Sequence, residues 1–294
     1  MNFTPSFTRY LAAKKSVDDR ALNRNVWDAF CRALPHATPA TPLRILEVGA
    51  GIGTMIERLV ERGALTHAIY TAIDADADNI AELNRRVSKI PNVVVEAQAT
   101  DVFDFFAREQ GRRTWDVLIA HAFLDLLDLP RVLPSLLSVL ERGGIFYATI
   151  VFDGATIFEP TIDAAFDAEI ERLYHQAMDE RIINGGKAAG DSHAGRHLFR
   201  LLAQTGVEII EAGSSDWVVY PTVRGYCADE AYFLYFIIDT LQSALENHEA
   251  LANRREPFSE WIALRHRQIQ ANQLVYIAHQ LDFVGTKVDA SRSP

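Results

Sequence analysis

The chain has 294 residues, of which 49% are hydrophobic and 23% are charged, and this composition is ordinary for a globular protein. Its length suits one large α/β domain with an insertion, or a core domain with a lid. The formal net charge is -10. Proteins that bind a nucleic-acid backbone usually carry a basic patch, so this charge disfavours nucleic acid as a partner.

The amino-terminal segment is predicted to be helical, because apolar residues recur at helical spacing up to a Pro- and Thr-rich stretch at 36–42. It lacks the apolar stretch of a signal peptide. The longest apolar run, 231–238, is too short to cross a bilayer. The two cysteines, Cys31 and Cys227, form no CxxC pair, so neither a disulfide framework nor a metal site is expected. A cytoplasmic protein without a membrane partner fits these features.

From residue 43 onward the hydrophobic pattern alternates between two periods. Short apolar runs typical of buried strands lie at 43–49, 68–73, 93–95, 115–120 and 145–152. Segments with helical spacing lie between them at 54–62, 75–87 and 131–140, and the last is broken by Gly143-Gly144. This alternation predicts a parallel sheet with both faces covered, and right-handed crossovers make it doubly wound.

Beyond residue 152 the pattern is less regular. The segment 158–181 is predicted to be mostly helical, and a Gly-rich loop follows at 183–191. Further helices are predicted at 196–204, 230–245 and 258–270, and further strands at 207–210, 217–220 and 274–284. No internal repeat or linker divides the chain.

The strongest motif is the glycine loop ILEVGAGIGT at 45–54, where the first predicted strand gives way to a helix. Glycines there let the backbone approach a ligand closely, and the helix presents unpaired N–H groups at its start. The dinucleotide fingerprint GxGxxG is not matched, because position 54 is Thr. An anion at Glu47 would repel a pyrophosphate, but it suits a ligand with ammonium and sulfonium charges.

This loop resembles motif I of the class I S-adenosylmethionine-dependent methyltransferases, (D/E)xGxGxG. The resemblance continues in order to about residue 220. Asp74 in TAIDAD matches the family's acidic residue that binds both ribose hydroxyls, and ATDV at 99–102 stands where the family contacts adenine. The GG at 143–144 and GRHLFRLLAQTG at 195–206 are also similar to the family's sequences at those places.

The resemblance implies S-adenosyl-L-methionine as the cofactor, bound at the glycine loop and at the ends of the following strands. The implied cofactor-binding residues are Glu47, Gly49, Ala50, Gly51, Gly53, Thr54, Asp74, Ala75, Thr100, Asp101, Val102 and His121. Taken singly, Glu47 could be an exposed strand-end charge and Asp74 a helix cap. The strand, the glycine loop, the helix and the acidic end of the next strand follow one another in the order typical of the family. This combination favours cofactor binding over the single-residue alternatives.

Residues just after the fourth strand, 121–125, are the candidates for the reaction site. Ligands bind beyond the carboxyl ends of strands where the strand order switches, and strands one and four flank that switch in this family. An oxygen acceptor must lose its proton, and His121 is placed to act as the general base. The alternative is that His121 hydrogen-bonds a backbone carbonyl or the cofactor.

Candidate residues for binding the acceptor lie near that point and in the region after it. They are Phe123, Asp125, Phe152, His193, Arg196 and Tyr226. His193 and Arg196 would reach the acceptor from a lid, although Asp191 or Ser192 could simply cap the helix that follows. The segment HAFLD does not match the Asn/Asp-Pro-Pro-Tyr/Phe motif of amino-directed DNA methyltransferases, which argues against a nucleobase acceptor.

These observations predict a doubly wound, mostly parallel, seven-stranded Rossmann-like sheet with N-terminal helices and a helical lid insertion. One domain would span the chain, divided into a helical segment (1–42), a cofactor-binding core (43–152), a lid or substrate region (153–206) and C-terminal strands and helices (207–288). The predicted activity is methyl transfer to a small molecule, with oxygen as one acceptor atom. The alternatives are an NAD-dependent oxidoreductase, a non-catalytic S-adenosylmethionine-binding protein and another reaction of the same cofactor, and a homodimer is left open.

Overall fold

A computed structural model of the chain describes residues 4–183 and 187–288. Its helices are α1 (Phe7–Ala21), α2 (Arg24–Ala33), α3 (Thr54–Glu61), α4 (Ala77–Val87), α5 (Val102–Glu109), α6 (Leu129–Ser138), α7 (Ala164–Asp179), α8 (Ala194–Gln204), α9 (Glu230–Leu245) and α10 (Arg255–Gln270). Its strands are β1 (Leu43–Val48), β2 (Ala68–Asp74), β3 (Val93–Ala99), β4 (Trp115–His121), β5 (Leu140–Glu159), β6 (Ile182–Ile183), β7 (Lys187–Ala188), β8 (Val207–Ser214), β9 (Trp217–Val219) and β10 (Val275–Lys287).

The main sheet has the strand order β3-β2-β1-β4-β5-β10-β8, and β9 pairs with β10 beside this path. Strands β1 to β5 are parallel, whereas β10 runs antiparallel to both β5 and β8. The order reverses between β1 and β4, which makes their carboxyl ends the switch point where ligands bind in such sheets. The predicted doubly wound, mostly parallel sheet is confirmed.

Successive side chains of each strand point to opposite faces of the sheet. Leu46 and Leu118 face α5, α6 and α8, and they belong to the apolar core on that side. Ile45 and Val117 face α2, α3 and α4 on the other side. The parallel strands are therefore buried on both faces, which explains why they appear in the sequence as short apolar runs.

A second layer of structure, the cap, covers the carboxyl end of the sheet. It consists of α1, α7, α9 and α10 together with β9 and the ends of β5 and β10 that extend beyond the parallel strands. These elements share a separate apolar core that includes Val17, Ile170, Phe233 and Trp261. The cap places one aromatic-rich cluster directly over the switch point.

Strand β5 begins before its predicted first residue and ends after its predicted last residue. It runs from Leu140 to Glu159, so Gly143-Gly144 lie within it, and α7 begins only at Ala164. Antiparallel pairing with β10 along nearly the whole strand supplies the hydrogen bonds that extend it, and no local pattern reveals that partner. Helix α5 was not predicted, and the Gly-rich loop forms the hairpin of β6 and β7, with Gly185 and Gly186 outside the described residues.

Within the described part of the chain, none of the helices has the length and apolar character needed to span a membrane.

Candidate active site

The glycine loop links the end of β1 to the start of α3. Gly49, Gly51 and Gly53 have φ angles of +66°, +53° and +83°, in the left-handed region that side chains rarely adopt. Gly53 is the N-cap of α3 and offers no capping side chain, so the first N–H groups of the helix remain for a ligand. Glycine at these positions is therefore required by the backbone.

Asp74, at the end of β2, braces this loop. Its Oδ2 accepts a 2.8 Å hydrogen bond from the backbone N–H of Gly51, and its Oδ1 accepts from the Asp76 N–H and from Asn79 Nδ2. The cap of α4 is Asp76, whose side chain accepts from the Asp78 N–H. The alternative reading of Asp74 as the helix cap is therefore wrong.

A cavity of about 370 Å³ opens beside the loop, at the carboxyl ends of β1, β2 and β3. Its lining residues are Gly49, Ile73, Asp74, Ala75, Thr100, Asp101, Val102, Phe103, Phe123, Leu126, Leu127 and Arg181. A carboxylate beside apolar walls fits an adenosine, whose ribose hydroxyls donate hydrogen bonds and whose base is flat. Seven of the lining residues were predicted, whereas Arg181 comes from the end of α7 and carried no sequence signal.

The rest of the predicted cofactor set lies outside the cavity because the loop is covered. A Cβ on Gly49 would lie 2.3 Å from Cδ2 of Phe123, and a Cβ on Gly51 would lie 3.1 Å from Cδ1 of Leu11. Leu11 belongs to α1, so the first helix and the segment after β4 both rest on the loop. The predicted residues that do not line the open space are Glu47, Ala50, Gly51, Gly53, Thr54 and His121.

Glu47 is almost fully buried, with 1% of its surface exposed, so it is not an exposed strand-end charge. Its Oε2 accepts a 2.8 Å hydrogen bond from the hydroxyl of Tyr70. Burial raises the pKa of Glu47 to about 8, which leaves the carboxyl group mostly protonated at neutral pH. The positive charge of Arg58 partly opposes this rise in the pKa of Glu47. The buried Nη2 of Arg58 has no hydrogen-bond partner among the described residues.

His121, at the end of β4, uses both ring nitrogens inside the protein. Nδ1 lies 2.8 Å from the hydroxyl of Thr149, and Nε2 lies 2.9 Å from Oδ2 of Asp18. Burial lowers the pKa of His121 to about 4, so the ring is neutral at pH 7. The network then assigns Nε2–H as the donor to Asp18 and Nδ1 as the acceptor from Thr149. The general-base role stays a prediction, and it requires one of these hydrogen bonds to open.

Asp18 of α1 is the centre of this network and was missed by the sequence analysis. It also accepts hydrogen bonds from Lys14 Nζ at 2.6 Å and from Trp217 Nε1 at 2.9 Å. Although burial opposes its ionisation, Lys14 and His121 hold the pKa of Asp18 well below its usual range. The network ties α1 to the end of β4, to the middle of β5 and to β9, and these elements are too far apart in the chain for a local signal.

The structure separates the predicted acceptor residues. Phe123 lines the cavity, and Asp125 follows two residues later in the turn Leu124–Leu126. Phe152 is buried in the cap, and its ring contacts the ring of His175 edge-on. The hydroxyl of Tyr226 donates to the Leu274 carbonyl.

His193 and Arg196 lie elsewhere, at the start of α8. His193 lines a separate groove beside α7, of about 460 Å³. The backbone N–H and Nε of Arg196 both donate to Oδ1 of Asp153 at 2.8 Å. Asp191 accepts a hydrogen bond from the His193 N–H, but the N-cap residue of α8 is His193, so neither Asp191 nor Ser192 is the helix cap. Of the six candidates, only Phe123 therefore lines the cavity, and Asp125 lies in the chain between the lining residues Phe123 and Leu126.

Among the residues that the structure describes, no group of three or more metal-ligating side chains is arranged to hold a metal ion. The site thus consists of a covered glycine loop, a carboxylate at the end of β2 and an apolar cavity.

The comparison with protein families agrees with this geometry. Residues 46–146 match the family model of a methyltransferase domain. The matched segment contains the glycine loop, Asp74 and His121, so this part of the chain is similar to a methyltransferase domain. The match supports the predicted methyltransferase activity, with S-adenosylmethionine as the methyl donor, over an NAD-dependent oxidoreductase.

Solved structures agree on the fold. A proposed methyltransferase of Bacillus halodurans C-125 matches with a TM-score of 0.50 and 12% sequence identity, over 91% of this chain and 100% of that chain. A mycolic acid cyclopropane synthase complexed with SAH has a TM-score of 0.48 and 12% identity, over 90% and 83% of the two chains. Geranyl diphosphate methyltransferase in complex with SAM has a TM-score of 0.45 and 10% identity, over 90% and 85%. No curated protein sequence matches the chain.

Proposed function

We propose that this enzyme methylates a hydroxyl oxygen of a small molecule held between the sheet and the cap. The observation that carries the proposal is the aromatic cluster of the cap, one member of which directly precedes Phe123 of the cavity lining. Ala122, which follows β4, packs against this cluster together with Tyr10 and Tyr174. An aromatic wall suits a small apolar or aromatic acceptor.

The cofactor supplies an electrophilic methyl group on a sulfonium, which is a good leaving group. Positioning can therefore provide much of the rate, because the acceptor and the methyl group only have to be held in line. In the proposed complex the Asp74 carboxylate accepts the ribose hydroxyls, and the walls formed by Val102 and Phe103 hold the adenine. Leu11 and Phe123 exclude water from the region of the glycine loop.

The proposed cofactor site also includes the predicted residues that the first helix covers. Glu47, Ala50, Gly53 and Thr54 would contact the amino-acid end of the cofactor once α1 has moved. His121 would help to hold the chain between β4 and the cap. The net charge of -10 supports a small molecule over a nucleic acid.

The proposal is tested with a panel of phenols, aliphatic alcohols, carboxylates and amines, each incubated with S-adenosylmethionine. Formation of S-adenosylhomocysteine is measured, and the methylated product is located by mass spectrometry. We expect turnover with one or more hydroxyl compounds. Turnover confined to carboxylates or amines, or no turnover with any compound, would overturn the proposal. Calorimetry with NAD and S-adenosylhomocysteine provides the control for a folded, cofactor-competent protein.

Two broader expectations from the sequence remain proposals. One is that the whole chain, 1–294, forms a single domain whose lid or substrate region is 153–206. The other is a cytoplasmic location, which is supported by the two unpaired cysteines.

A further inference from the structure

Asp125 stands where the cofactor cavity meets the cap. It lies in a short 3-10 turn, Leu124–Leu126, directly after β4. Phe123 and Leu126, on either side of it, line the cofactor cavity. Ala122, three residues earlier, belongs to the aromatic cluster of the cap. An acceptor placed between the cap and the transferable methyl group would therefore lie beside Asp125.

The carboxyl group of Asp125 has an unused oxygen. Its Oδ1 is fully buried, and no hydrogen-bond partner exists for it among the described residues. Buried polar atoms are nearly always paired, because leaving one unpaired costs about 1–3 kcal/mol. A carboxyl oxygen left unpaired beside a substrate cavity indicates that the missing partner is the substrate.

Charged and titratable groups from several elements face Asp125. They are Lys14 and Tyr10 of α1, Tyr174 of α7, Arg181 and Asp191. Lys14 is already bound to Asp18 at 2.6 Å, so it does not neutralise Asp125 directly. Burial raises the pKa of Asp125 to about 6, and Arg181 and Lys14 partly oppose that rise. The group is therefore mostly ionised at pH 7.5 and is a competent proton acceptor there.

We propose that Asp125 is the general base of the reaction, and that the acceptor is a neutral molecule with a hydroxyl group on an aromatic or apolar body. This inference rests on the function proposed above. The acceptor oxygen forms the new bond to the methyl carbon, the carbon–sulfur bond breaks with its electron pair left on sulfur, and the hydroxyl proton passes to the Asp125 carboxylate. Solvent then takes that proton when the product leaves.

Two further observations support this assignment. His121 is the other candidate for the general base, but both of its ring nitrogens are already hydrogen-bonded, so neither is open to take a proton. Tyr10 stacks on Phe236 and Phe233, with ring centroids 4.1 Å and 5.7 Å apart, which gives the site a flat apolar wall. A carboxylate acceptor would be repelled by Asp125, and a neutral hydroxyl would donate to it.

The first test uses Asp125→Asn in the protein without ligands, with Asp128→Asn as the matched control. Asp128 lies three residues away at the start of α6, where its side chain makes no capping hydrogen bond. The pKa of Asp125 is about 6 in the folded protein and near 3.8 in the unfolded chain. The folded protein therefore loses stability as the pH rises through that interval. The Asp125→Asn variant does not undergo this loss, so it should melt at a higher temperature than the native protein at pH 7.5. The difference between the two melting temperatures should disappear by pH 4.

The second test uses a hydroxyl acceptor found in the panel. Asp125→Asn should lower kcat by about 10²–10⁴-fold, with the affinity for S-adenosylhomocysteine unchanged within about two-fold, because a base acts only on the transition state. The native enzyme should lose kcat/KM below about pH 6, and Asp128→Asn should behave as the native enzyme. An equal rate in Asp125→Asn, or no pH-dependent melting gap, overturns the base assignment alone. Absence of turnover in the native enzyme overturns the proposed function as well.

Discussion

The side chains of Asp18 and His121 share a 2.9 Å hydrogen bond, which joins the first helix to the end of β4. The ring of His121 is 7% exposed, and its other nitrogen is occupied by Thr149. Asp18 in turn is held by Lys14 and Trp217. The pair therefore fastens α1 to the carboxyl edge of the sheet.

Replacement of His121 tests whether this residue fastens the helix or acts as the base. His121→Ala should lower the free energy of unfolding by about 1–3 kcal/mol, because it removes a hydrogen-bond partner from two buried groups. Urea unfolding measures this change, and His36→Ala, at an exposed histidine, is the control. A large loss of turnover with unchanged stability would instead identify His121 as the base.

The same residue predicts sensitivity to acid. The pKa of His121 is lowered from 6.5 to about 4 in the folded protein, so its contribution to stability is complete above pH 6.5. That contribution is lost as the pH falls from 6.5 towards 4, because the unfolded chain takes up the proton more readily. Melting curves of the native protein and of His121→Ala should therefore converge over this interval. Parallel curves from pH 7 to pH 4 would show that the ring titrates normally.

Asp74 and Asp76 provide a matched pair for the cofactor site. Asp74→Ala removes the proposed ribose acceptor and a brace of the loop, so the affinity for S-adenosylhomocysteine should fall by about ten-fold or more. Asp76→Ala removes only the cap of α4, so it should cost about 1 kcal/mol of stability and leave the affinity nearly unchanged. Calorimetry and thermal unfolding of both variants measure the two effects. Equal affinities in the two variants would exclude Asp74 from ribose binding.

Glu47 should lose its proton when the cofactor binds. Its pKa is raised by burial to about 8, and an ammonium group placed near it would favour the ionised form. Calorimetry at pH 7 in buffers of different ionisation enthalpy should therefore show release of roughly one proton per S-adenosylhomocysteine bound. The Glu47→Gln variant should release no proton. Glu96, on β3, is paired with Arg113, and the control variant Glu96→Gln should behave as the native protein. Buffer-independent heats in the native protein would mean that Glu47 does not face the cofactor.

Helix α1 should act as a lid that opens to admit the cofactor and closes over it, because Leu11 lies on Gly51 of the glycine loop. With ligand at 100 times its Kd, amides that exchange only through this opening should exchange about 100-fold more slowly. Hydrogen exchange with and without S-adenosylhomocysteine measures this for α1 and for α7 in the region 153–190. Helix α2, which packs on the sheet, is the internal reference. Equal protection of α1 in both states would show that it is a fixed wall.

Local features of the sequence were sufficient to predict the core of the fold and half of the candidate cofactor site. The glycine loop, Asp74 and the ATDV segment at 99–102 could be placed because strand period, glycine conformation and strand ends are set within a few residues. Their common register then identified the family. The same reasoning failed at β5, whose length depends on pairing with β10, more than a hundred residues later.

Tertiary structure decided which side chains share the reaction site. Asp18 hydrogen-bonds to His121, and Asp125 comes close enough to Tyr10 and Tyr174 to act on them electrostatically, only because the cap folds back over the carboxyl ends of the strands. His193 and Arg196 had equally suitable chemistry, but packing of α8 turns them to a separate groove and to Asp153. Periodicity determines which face of an element is buried, whereas the distance between two elements depends on long-range packing that no short segment encodes.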